Sequence, residues 1–193
     1  MDEGAIAQLL ERLGQLLRSE QAAQARRHGL QPVQAEILRY LARANRFSTG
    51  TVAVAEYLGL TRGTVSVSLH RLAERGLLAR SAAAGDSRRV GWRLTAEGAR
   101  LCAAIETPPV LAAALGALGP GEATDLEDRL RRLLRAMQRA HGGRAFGICR
   151  QCRHFRPADG GGGLCGLTGE ALAAGEGGQL CRHWSEPAAR RAG

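Results

Sequence analysis

Between Asp2 and about His28 the apolar residues Ile6, Leu9, Leu10, Leu13, Leu16 and Leu17 recur at intervals of three and four, the period of an amphipathic helix. Such a stripe has to be covered, either by the core of its own chain or by the same helix of a second copy. A second helix is predicted from Pro32, which suits a first helical turn, to about Asn45, with Val33, Ile37, Leu38 and Leu41 facing inward. Residues 46–50 read as a loop and 51–58 as a short helix stopped by Gly59. Thr61 is placed to cap the next helix, which runs to about Arg75 with Val65, Leu69 and Leu72 on its buried side and Gly76 at its end. Two strands follow, 77–80 and 90–94, linked by the polar, basic stretch 81–89. Thr95 caps a helix over 96–106, which Pro108 and Pro109 interrupt before the apolar run 110–118. In the last helix, predicted over 122–139, Leu126, Leu130, Leu133, Leu134 and Met137 share a face.

The pattern then stops. From Gly142 onward the chain is rich in glycine, with a run at 160–163, and holds four of the five cysteines while offering almost no apolar core. Two units are expected: a mainly α-helical domain over 1–141 and a Cys-rich module over 142–193 whose fold needs something other than hydrophobic burial.

Charge sharpens the picture for the first unit. The chain of 193 residues is 45% apolar, sufficient for a core, and carries a formal charge of +9 that suits a polyanionic partner. Residues 46–100 contain nine Arg against four acids, so more than half of the excess lies around the two short helices and the hairpin. Neither an N-terminal export signal nor an apolar run of membrane-spanning length is evident, so no membrane partner and a cytoplasmic location are expected. In that reducing compartment clustered cysteines read as metal ligands or redox groups rather than as disulfides. No catalytic triad, nucleotide-binding glycine loop or paired-carboxylate motif stands out, so an enzyme is not expected.

The helices over 51–58 and 62–75, joined by the tight turn at Gly59-Leu60, form a helix-turn-helix, whose second helix can enter a major groove. Opposite Val65, Leu69 and Leu72 that helix carries Arg62, Gly63, Ser66, Val67, His70 and Arg71, short or basic side chains suited to base edges and phosphates. The residues 55–61, 72–80, Asp86-Ser87-Arg88-Arg89 and Leu94-Thr95-Ala96-Glu97-Gly98 together resemble the MarR family, the likeness covering about 5–140. The resemblance implies a winged helix-turn-helix with a two-stranded wing and a dimerisation layer made by the N- and C-terminal helices. It also implies a homodimer on double-stranded DNA with a pseudo-palindromic operator, usually a repressor, with a small-molecule effector held between the layers. Arg62 and Ser66 are the residues expected at base edges, Thr61, Thr64 and Arg71 at phosphates, and Arg88 and Arg89 at the wing tip in the minor groove. Gly63 and Val67 depart from the family's habit, Val67 being suited to a thymine methyl.

Cys149, Cys152, Cys165 and Cys181 place four thiolates within 33 residues, enough to close a metal site. His154 and His183 lie beside two of them as further candidates, while Cys102, on the predicted helix after the wing, is expected in the core. Thiolates suit zinc and iron–sulfur clusters alike. The spacing, with Phe155 and Trp184 flanking, resembles the cluster-binding region of high-potential iron–sulfur proteins, which implies a 4Fe-4S cluster screened by those two rings. The functions left open are a regulator modulated by such a centre, a regulator with a structural zinc, and a redox or electron-transfer protein.

Overall fold

The computed structural model describes residues 2–83, 86–105, 107–142 and 145–187, with side chains described for all of these except 82–83 and 86–90. Helix α1 (Glu3–Arg27) starts where the Asp2 carboxylate accepts the Ala5 N–H at 3.0 Å, and it carries Arg26 and Arg27 at its C-terminal end, both matched to the helix dipole. Its stripe is not covered by this chain. Ile6, Leu9, Leu13 and Leu16 are exposed, and within α1 only Gln24 and Ala25 are buried. An intramolecular core is therefore excluded for the N-terminal half of the stripe.

The core is centred on α2 (Pro32–Arg43), where Gln31 N–H donates to the Gln34 side chain at 2.9 Å across the first turn. Ala35, Ile37, Leu38, Tyr40 and Leu41 are buried against Val54, Val65, Leu69, Leu72, Cys102 and Ile105. The expectation of a buried Cys102 thus holds. A 3₁₀ turn (Arg46–Ser48) leads into α3 (Thr51–Leu58), which ends at Gly59 in the left-handed region at φ +66°. Helix α4 (Arg62–Glu74) follows, its first turn closed by Thr61 Oγ1 accepting the Thr64 N–H at 3.2 Å.

Strands β1 (Leu78–Ala83) and β2 (Asp86–Leu94) form an antiparallel ribbon in which Leu78 faces Leu94 and Arg80 faces Trp92. Both strands run further than the pattern predicts, so Arg88 and Arg89 lie within β2 and not in a connecting loop; their side chains fall outside the described residues. The cause is that the sequence beyond Arg80 has no apolar–polar alternation to mark where pairing continues. Thr95 closes the start of α5 (Ala96–Ala104), donating to the Gly76 carbonyl and accepting the Gly98 N–H, and a Cβ at Gly98 would overlap the Leu77 carbonyl oxygen. Helix α5 stops earlier than predicted, and Glu106 lies outside the described residues. Helices α6 (Pro109–Gly116) and α7 (Glu122–His141) complete the helical part, and the α7 face of Leu126, Leu130, Leu133, Leu134 and Met137 is exposed like that of α1.

Beyond α7 the elements shrink to two or three residues. Strand β3 (Gly147–Ile148) pairs with β7 (Leu180–Cys181), while β4 (Phe155–Pro157), β5 (Gly163–Cys165) and β6 (Ala171–Leu172) make a three-stranded antiparallel sheet. Cys149, Leu172, Cys181 and Trp184 form the buried hydrophobic cluster of this module, packed with Phe155 and with Phe47 from the 3₁₀ turn. Among the described residues no helix is long and apolar enough to cross a membrane.

Candidate functional site

The outer side of α4 follows from its inner one. With Val65, Leu69 and Leu72 fully buried, the 3.6-residue period turns Arg62, Gly63, Val67, His70 and Arg71 outward, all exposed, with Ser66 half-buried at the edge. The capping threonines are partly committed to the helix itself: Thr61 and Thr64 share a hydroxyl–hydroxyl hydrogen bond of 2.9 Å. Each still has an exposed position at the helix N-terminus, where backbone N–H groups and the dipole favour an anion. Ser68, on the inner side, donates back to the Thr64 carbonyl at 3.0 Å.

Sequence reasoning missed how this helix is tied to the wing. Trp92 of β2 is buried and meets His70 edge-on at 5.6 Å between ring centroids, while the Arg80 guanidinium lies 4.0 Å over the same indole. The signal was available in the strand pairing, because Arg80 and Trp92 are register partners. His70 is therefore a contact between reading helix and wing as well as a surface group.

The second constellation is a pocket lined by all four module cysteines, Cys149, Cys152, Cys165 and Cys181, together with Phe47, His154, Phe155, Leu167, Thr168 and His183. The chain brings both candidate histidines to it. Trp184 sits just behind, its indole N–H donating to the Gln151 carbonyl at 3.0 Å and its ring 5.3 Å beneath Arg135 of α7. Phe155 is thus on the pocket wall and Trp184 in the packing layer beneath it.

The electrostatics inside the pocket favour the anion at one sulfur, Cys181, and oppose it at another, Cys149. The Cys149 thiol donates to Cys181, which raises the pKa of the first and lowers that of the second, and Asn45, the His183 backbone N–H and Ser48 further favour the Cys181 thiolate against the opposing effect of burial. Ser185 N–H donates to the Cys152 sulfur at 3.3 Å. Asn45 is completely buried, and its amide Nδ2 faces the Cys181 sulfur without completing a hydrogen bond to it. No two of the five cysteines are joined in a disulfide. Among the described residues no group of three or more Cys, His, Asp and Glu side chains is arranged to hold a metal ion.

A hairpin-bearing helix-turn-helix of this kind is a winged helix, and comparison with solved structures agrees. The chain superposes on S. aureus MepR in a MepR–DNA complex with a TM-score of 0.58, 21% identity, and coverage of 72% of this chain and 100% of that one. For CouR from Rhodococcus jostii RHA1, bound to p-coumaroyl-CoA, the TM-score is 0.57 at 24% identity, with 70% of this chain and 92% of that chain covered. In sequence, residues 28–89 match the profile of the MarR family, from the end of α1 into β2 and short of the cysteine module. No curated protein matches the sequence.

Proposed function

We propose that this chain is a MarR-type transcription regulator that acts in the cytoplasm as a homodimer and binds a pseudo-palindromic operator in double-stranded DNA as a repressor. The observation that carries this reading is the exposed, basic outer face of a capped α4 within a winged helix, the fold it shares with a protein whose structure is a complex with DNA. Arg62 and Ser66 reach base edges, Val67 meets a thymine methyl, Thr61, Thr64 and Arg71 hold phosphates, and Gly63 lets the backbone approach closely. Arg88 and Arg89 of the wing enter the neighbouring minor groove. Two copies of α4 about 34 Å apart would meet successive major-groove faces.

The uncovered stripes of α1 and α7 support the dimer, since exposed leucines at this density stabilise an assembly when a second copy buries them. A small-molecule effector between the reading and dimerisation layers is the second part of the reading, suggested by the ligand that CouR holds.

The third part is a metal centre held by Cys149, Cys152, Cys165 and Cys181. Four thiols lining one pocket, two of them buried, beside an apolar wall of Phe47, Phe155 and Leu167 are a donor set that fits such a group. Four thiols lining one pocket suit zinc and a 4Fe-4S cluster alike. The group would supply redox or iron responsiveness when bound; zinc would supply stability alone.

Selection from a random duplex pool, followed by affinity measurement, tests the DNA reading. Arg62→Ala is expected to weaken binding by about 1–3 kcal/mol and relax preference at one position, while Arg71→Ala weakens all sequences alike. A pool that yields no enriched sequence, or variants that bind as the wild type does, would contradict it.

A further inference from the structure

The cysteine module and the reading helices share one short piece of backbone, residues 45–49. Its first residues face the module. Asn45 N–H donates to the Leu180 carbonyl at 2.9 Å, extending a parallel bridge between Ala44 and Leu180. Ser48 Oγ accepts the Arg182 N–H at 2.9 Å and donates its one proton to Asn45 Oδ1 at 2.7 Å. The two residues that flank Cys181 are therefore the two whose backbones this segment holds. Arg46 adds both carboxylate oxygens of Glu176, Glu170 and the Ala171 carbonyl, and Phe47 forms part of the pocket wall.

The last residue faces the reading head. Thr49 carbonyl accepts the Trp92 N–H at 3.1 Å, and its side chain lies so close to β2 that a Cβ on Gly91 would overlap Thr49 Oγ1. Trp92 in turn touches His70 of α4 and Arg80 of β1. A second tie runs in parallel, as Arg182 grips Glu56 of α3 through two hydrogen bonds of 2.8 Å.

We propose that residues 45–49 couple the cysteine pocket to the reading head, so that what the four thiolates hold sets the affinity of α4 and the wing for duplex DNA. This rests on the DNA-binding reading and on a group being bound at the cysteines. Drawing the Cys181 sulfur onto such a group, or releasing it, shifts Leu180 and Arg182. Asn45 and Ser48 are completely buried and bonded to both, so they move with them. Thr49 has no slack, being pinned to Trp92 and against Gly91, and passes the displacement to the wing and to the His70 edge of α4. By linkage, DNA changes the hold on the bound group by the same factor. Asn45, Ser48 and Arg182 are positioning residues and touch no DNA in this scheme.

The test uses the full chain purified anaerobically and a duplex it selects from a random pool. Affinity is measured before and after removal of the metal by a chelator, with loss confirmed by metal analysis, and amide exchange at Trp92 is followed in both states. The expected result is a change in affinity of at least about fivefold with faster Trp92 exchange in the emptied protein. In Ser48→Ala and, separately, Arg182→Ala, each shown to carry the wild-type metal content, the change is expected to fall to within about twofold. Unaltered affinity and Trp92 exchange after proven metal loss would overturn the coupling, as would a full response in both variants or a chain that carries no metal as purified. If no duplex is selected yet Trp92 exchange still shifts, the DNA-binding reading fails while the coupling stands.

Discussion

Around Tyr40 the helical part of the chain packs Ile37, Leu38, Val54, Val65, Leu69 and Leu72 out of water, whereas around Trp184 the C-terminal module buries Leu172 and two cysteines and little else. The first region has enough apolar surface to hold its fold. The second has strands of two or three residues, which do not persist in water unaided, and depends on its contacts with residues 45–49 and on whatever its thiols bind. One chain therefore contains a scaffold held by apolar burial and an attachment with little apolar burial of its own.

The largest expected effect that would sharpen this contrast comes from Cys149→Ser combined with Cys181→Ser. Limited proteolysis should then cut freely within 145–187 while the helical part survives as a resistant fragment, because the module loses its ligands and the core loses nothing. A tail as resistant as that of the wild type would break the comparison. Leu69→Ala makes the opposite cut: a cavity beside α2 should cost about 2–5 kcal/mol in urea unfolding of the helical part, with the metal content of the folded protein unchanged. Smaller still, Thr61→Ala removes the cap of α4 and should lower stability by about 1 kcal/mol, a shift readable in the same unfolding midpoint.

What could be read from the sequence follows the same division. Glycines 59 and 76 and the capping Thr61 and Thr95 mark element ends by local chemistry, so α3, α4 and the start of α5 fall where the pattern puts them. The extent of the wing was hidden because its pairing continues past Arg80 into a stretch with no apolar alternation, and the module's strands by being too short to show any period. The outward residues of α4 were legible from helical periodicity alone, but the contact of His70 with Trp92 required the strand register. The junction was the least visible part. Asn45, Ser48 and Arg182 belong to no motif, and the Ser48–Arg182 bond spans 134 positions, which no local pattern encodes.

The measurement that bears most directly on this account is metal and sulfide analysis of the anaerobically purified full chain, with an absorption spectrum, beside the Cys149→Ser, Cys181→Ser variant. The account predicts a stoichiometric metal centre in the wild type that the variant has lost, coloured and containing iron and sulfide if the pocket holds a cluster, colourless with zinc if it holds a single ion. A metal-free wild type whose module is nonetheless ordered, with all four cysteines titrating as thiols, would contradict it.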